Sequence, residues 1–117
     1  MGDGVLAYYG YPRANEEDAA NAIRAALDLR AAIRRLDLPR QISLQSRVGI
    51  ATGLVVINDL VSRGTVLEAG VVGETPNLAA RLQAITPAGG IVMAEATRRI
   101  TEGQFVYRPI GSVTLKG

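Results

Sequence analysis

The amino-acid sequence predicts an α/β sandwich, with helices packed against a mixed, largely antiparallel sheet. Three observations carry that expectation. Segments of strand character alternate with segments of helical character along the chain. Residues 74–85 combine a start signal, an apolar stripe and a stop signal, the pattern of an amphipathic helix lying on a sheet. The 48% hydrophobic content comes from Ala, Leu, Ile and Val, with no Trp, one Phe and four Tyr, so an aliphatic, closely packed core is expected. A chain of 117 residues with 21% charged residues fits one globular domain.

Taken in order, Gly2-Asp3-Gly4 is a turn that leads into Val5, Leu6, Ala7, Tyr8 and Tyr9, bounded by Gly10 and Pro12. This reads as the second strand of a hairpin, and its partner is expected before Met1. Residues 15–38 read as a helix. Asn15 is its expected cap, Glu16, Glu17 and Asp18 complement the exposed amides of the first turn, and Pro39 ends the pattern. Ala19, Ile23, Ala26, Leu27, Ile33 and Leu36 form its apolar side, while Arg24, Asp28, Arg34 and Arg35 form a solvated face. Residues 44–57 read as strand, bend, strand around Val48, Ile50, Val55, Val56 and Ile57. Gly49 and Gly53 mark places where something comes close to the backbone. Residues 58–70 read as a polar connection. Thr75 is the expected N-cap of the next helix and Pro76 its first residue, with Leu78, Leu82 and Ile85 as the stripe. After the breaker Pro87-Ala88-Gly89-Gly90 come a short buried strand at 91–93, a short helix at 95–100, and a strand, turn and strand within 104–115.

Composition excludes several chemistries. The formal net charge of +2 is spread along the chain, so the clustered Lys and Arg of a nucleic-acid footprint are missing. With no Cys and no His there is no disulfide, no thiolate or imidazole ligand, and neither a Cys nucleophile nor a His base. The apolar runs fall well short of the about 20 residues needed to span a bilayer, so this segment is expected to be cytoplasmic and off the membrane.

Three side chains could carry chemistry. Asp3, on a tight turn between two glycines, can present its carboxylate to a hard cation, although Gly-Asp-Gly is equally ordinary turn composition. Asn77 and Arg81 stand four apart, on a helix face other than that of Leu78, Leu82 and Ile85. They offer an amide and a planar guanidinium to a phosphate or ribose, or they are an exposed polar pair on a surface helix.

Four blocks in order are more specific than any one of them: residues 2–10 (GDGVLAYYG), 47–53 (RVGIATG), 72–82 (VGETPNLAARL) and 115–117 (LKG). Together they resemble class III adenylate/guanylate cyclase catalytic domains of bacterial type, over essentially the whole chain. The resemblance implies the nucleotide cyclase fold, a ferredoxin-like sheet, and formation of a cyclic nucleotide and pyrophosphate from ATP or GTP. It implies that Asp3 is one of two aspartates holding two Mg²⁺ or Mn²⁺ ions. It also implies that Asn77 orients the ribose, that Arg81 stabilises charge at the α-phosphate, and that Gly70 and Gly73 lie by the nucleotide. The sites of such enzymes form between two domains, so a homodimer is implied, with Asp3 of one chain facing Asn77 and Arg81 of the other.

Departures from the family pattern set further expectations. The block with the second metal-binding aspartate and the Lys before the Gly-Asp turn are missing, and the sequence stops before the last strand. Residues 1–117 are therefore expected to be a partial, incomplete domain, inactive alone. Gly70 replaces the usual base-selecting residue, so the choice of ATP or GTP is not legible, and Asn58 stands where many relatives have Gly. The alternative function is a non-catalytic cyclase-like module that binds nucleotide or dimerises to regulate an attached effector.

Overall fold

The computed structural model describes residues 4–10, 13–36, 38–39, 42, 44–54, 56–62, 65–72 and 74–110, with the backbone alone for 56–62 and 65–72. The element order is α1 (Asp18–Arg34), β1 (Val48–Ile50), β2 (Val56–Ser62), β3 (Thr65–Val72), α2 (Glu74–Ile85), β4 (Ile91–Met93) and α3 (Glu95–Ile100). The architecture is α+β.

A reciprocal pair of side chains precedes α1. Asn15 Oδ1 accepts the Glu17 amide at 2.8 Å, and Asp18 Oδ2 accepts the Asn15 amide at 2.6 Å. These bonds brace the turn ahead of the helix; the N-cap is Glu17, which makes no side-chain cap bond, so Asn15 is not the cap the sequence predicts. The helix itself begins at Asp18, after a turn at 16–17, and ends at Arg34. It is shorter than the expected 15–38, and Leu36 is half exposed beyond its end.

β1 and β4 pair in parallel, with Val48 opposite Ile91, Gly49 opposite Val92 and Ile50 opposite Met93. Side chains alternate along a strand. Ile50 therefore joins Ile23 and Ala26 of α1 in the core, with Val48, Ile91, Met93 and Phe105 packed around them. Gly49 faces the other way, and α2 rests there. A Cβ at Gly49 would overlap the Ala79 carbonyl oxygen and lie 2.5 Å from the Gln83 amide nitrogen. The two long helices thus cover opposite faces of β1.

β2 and β3 form an antiparallel hairpin from Val56 opposite Val72 to Ser62 opposite Thr65, with an irregularity at Leu60/Val61. The polar connection expected over 58–70 is instead most of this hairpin, whose Leu60, Val61, Val66 and Leu67 are residues of strand type or tolerated in strands. Among the described residues the strands form two separate two-stranded sheets, one parallel and one antiparallel, rather than one mainly antiparallel sheet. Residues 4–8 and 106–110 carry no strand pairing, since no described strand lies alongside them to complete a ladder. Residues 111–115, the remainder of the expected last strand pair, lie outside the described residues. No helix among the described residues is long and apolar enough to cross a membrane.

Candidate functional site

The geometry of α2 decides where the predicted site residues stand. Pro76 is the third residue of α2 rather than its first, still within the turn whose amides need no partner in the helix. Thr75 does not cap the helix. It lies inside the first turn, and its hydroxyl donates to the Leu54 carbonyl at 3.0 Å, tying α2 to the bend after β1. Gly53 makes that approach feasible, because a Cβ there would lie 2.6 Å from Thr75 Oγ1. At the other end Thr86 is buried, and its hydroxyl donates to the Leu82 carbonyl at 2.6 Å, back-bonding the last turn before Pro87. Of the predicted stripe, Leu82 is buried, Leu78 is partly buried and Ile85 is 40% exposed. The packed face is therefore rotated toward Ala79, Leu82 and Gln83.

Asn77 is exposed and Arg81 partly buried, one turn apart on α2. A cavity of about 920 Å³ runs along β1 between α1 and α2, with residues 4–9 as another wall. Thr75, Pro76, Ala79, Ala80 and Gln83 line it from α2, whereas Asn77 and Arg81 do not. The monomer thus keeps these two side chains off its own large cavity. Gly70 sits in β3 opposite Asn58 of β2. Asp3 and Gly73 lie outside the described residues.

Among the described residues no three carboxylate, imidazole or thiol side chains gather where they could hold a metal ion. The one carboxylate on the cavity wall, Asp18, is engaged with the Asn15 amide. The described residues therefore do not by themselves fit a two-metal centre. Sequence reasoning passed over Thr52, which lines the cavity and shares a 2.8 Å hydrogen bond with Thr97 of α3. Its place inside the second signature block, beside Gly53, was the available signal.

Residues 1–117 match the family described as the adenylate and guanylate cyclase catalytic domain, and the chain belongs to that family. It is 35% identical over 117 residues to an uncharacterized protein of Rhizobium meliloti (strain 1021), covering 99% of this chain and 11% of that protein. It is 29% identical over 116 residues to an adenylate cyclase of Mycobacterium tuberculosis (strain ATCC 25618 / H37Rv), covering 99% of this chain and 26% of that one. Among solved structures it resembles the guanylate cyclase domain of RhGC from Catenaria anguillulae in complex with GTP. The TM-score there is 0.80 at 28% identity, covering 93% of this chain and 59% of that one. The chain thus spans about a tenth to a quarter of the length of these curated relatives.

Proposed function

We propose that residues 1–117 form part of a nucleotidyl cyclase domain that makes a cyclic nucleotide from ATP or GTP in a cytoplasmic setting. The ribose 3′-oxygen bonds to the α-phosphorus and the α–β phosphoanhydride bond breaks. Pyrophosphate leaves, and the 3′-hydroxyl proton is released. Arg81 stabilises the charge that grows on the α-phosphate oxygens, and Asn77 holds the ribose by hydrogen bonding. Gly70 and Gly73 let the nucleotide approach the backbone near the base of the β2–β3 hairpin. Asp3 would supply one carboxylate to Mg²⁺ or Mn²⁺, which would lower the pKa of the 3′-hydroxyl and offset phosphate charge. The site closes between two copies, with Asp3 of one protomer opposite Asn77 and Arg81 of its partner.

The observation that carries this reading is the family match over residues 1–117, joined to an exposed Asn77 and a partly buried Arg81 one helical turn apart. The resemblance to a domain solved with GTP supports a nucleoside triphosphate as substrate. The 117 residues supply one of the two expected metal-binding aspartates, so alone they are expected to be silent. The assay uses a chain that also contains the second.

Cyclic nucleotide formation is measured with ATP and with GTP, each with Mg²⁺ or Mn²⁺. Arg81→Ala and Asn77→Ala are expected to lower kcat by roughly 10²–10³-fold while leaving the protein folded. A folded, dimeric wild-type chain that forms no cyclic nucleotide from either substrate would overturn the enzymatic reading in favour of a regulatory module.

A further inference from the structure

Thr97 of α3 is fully buried, and its hydroxyl lies 2.8 Å from the hydroxyl of Thr52, 45 residues away in sequence. We propose that Thr97 and Thr52 are positioning residues for the nucleotide-facing side of α2, acting through the bend at residues 51–54. This rests on the cyclase reading above.

The mechanical path is short. Gly49 lets the backbone of α2 sit directly on β1 at Ala79 and Gln83. Five residues later the Leu54 carbonyl accepts the Thr75 hydroxyl at 3.0 Å, and Gly53 lies against that same hydroxyl. Two fixed points on α2 are therefore set by one short stretch of chain, 49–54. Asn77 stands two residues beyond Thr75, and Arg81 one turn beyond Asn77. β1 steadies the first part of that stretch through its pairing with β4. Beyond Ile50, whose carbonyl accepts the Ala94 amide at 2.9 Å, the Thr52–Thr97 bond ties the bend to the body of the domain.

Thr97 is itself held. Thr101 is fully buried, and its hydroxyl donates to the Thr97 carbonyl at 2.9 Å. The Tyr107 hydroxyl in turn donates to the Thr101 carbonyl at 2.5 Å. A hydroxyl shut away from water requires a partner. Valine at Thr97 would fill the same space but break the bond, valine at Thr52 would strand the buried Thr97 hydroxyl, and serine at Thr97 would keep the bond. Freeing the bend lets α2 pivot about Gly49. Phosphoryl chemistry is sensitive to shifts on the order of 1 Å in the groups around the reacting centre.

The test uses an active chain containing this segment and compares Thr97→Val, Thr97→Ser and Thr52→Val. Ile23→Val, which thins the α1 core against Ile50 but leaves every hydrogen bond of the path intact, is the stability control. Thr97→Val and Thr52→Val are expected to lower kcat by about tenfold, with KM changed less than about twofold. Thr97→Ser restores kcat, and Ile23→Val leaves it unchanged. Amide hydrogen exchange at residues 52–54 and 75–77 is expected to accelerate in Thr97→Val and not in Ile23→Val. Wild-type kcat in Thr97→Val, a loss shared by the Ile23→Val control, or unaltered exchange at these amides overturns the inference. An inert wild type overturns the proposed function instead, and accelerated exchange in Thr97→Val then still supports the coupling of the bend to α2.

Discussion

The carboxylate of Glu95 meets Arg98 as a two-pronged fork, Nε to Oε1 and Nη2 to Oε2 at 2.7 Å each, and Arg99 Nε adds a third contact at 3.3 Å. These hydrogen bonds, Arg98's first, hold the Glu95 carboxyl at about 2 against its ordinary 4.5. Because the folded value lies below the unfolded one, the pair's contribution is fully present above about pH 4.5 and is lost as pH falls toward 2. Carbon-13 NMR should show Glu95 titrating near pH 2, and Arg98→Ala should return the midpoint toward 4.5. A wild-type midpoint near 4.5 would show that the fork is not populated in solution. Gly49 is the residue-scale constraint inside the domain. A Cβ there meets main chain of α2 rather than the end of a flexible side chain, so the strain has nowhere easy to go. Gly49→Ala is expected to destabilise by about 3 kcal/mol, the upper end of overpacking. The check is a fall in the urea midpoint at unchanged m.

At the scale of elements, α2 was legible almost to the residue, because Pro76 and Pro87 fix its ends and its stripe has helical spacing. What its sequence does not contain is the rotation of its buried face. That was set by the glycine beneath it, which draws Ala79 and Gln83 onto β1 and leaves Ile85 partly in water. For α1 the existence of the helix was legible, but neither end was: it starts at Asp18 with Glu17 as its cap rather than Asn15, and it ends at Arg34, ahead of Pro39. The β2–β3 hairpin was missed. Its residues show neither strict alternation nor a short turn signal, and its stability comes from cross-strand pairing that a one-dimensional reading does not contain.

At the scale of the molecule, Asn77 and Arg81 lie off the monomer's cavity, and the proposed function completes their site with a second copy. Mixing an Asp3→Asn chain with an Arg81→Ala chain should then restore about a quarter of wild-type activity, because each mixed dimer holds one intact site. If both residues act within one protomer, mixing restores nothing. A second whole-molecule expectation concerns the segment beside β1. Val5 is 93% exposed, Leu6 52%, Tyr8 40% and Tyr9 45%, all on backbone without a strand partner among the described residues. Such an edge recruits other strands. The 117-residue chain should therefore show concentration-dependent association by light scattering, weakened by Leu6→Lys, and a monodisperse monomer at high concentration would contradict this.

The sequence by itself determined the family, the extent of α2 between Glu74 and Pro87, and the pairing of Asn77 with Arg81 on one helical face. Each of these depends on residue type and local spacing, which the chain carries in one dimension. Only the tertiary structure decided that α1 and α2 cover opposite faces of β1, that Thr75 ties to Leu54 rather than capping its own helix, and that Thr97 reaches Thr52. Those contacts join residues far apart along the chain, and they form because the hydroxyl buried at Thr97 needs a partner and glycines let α2 come close to the chain at 49 and 53.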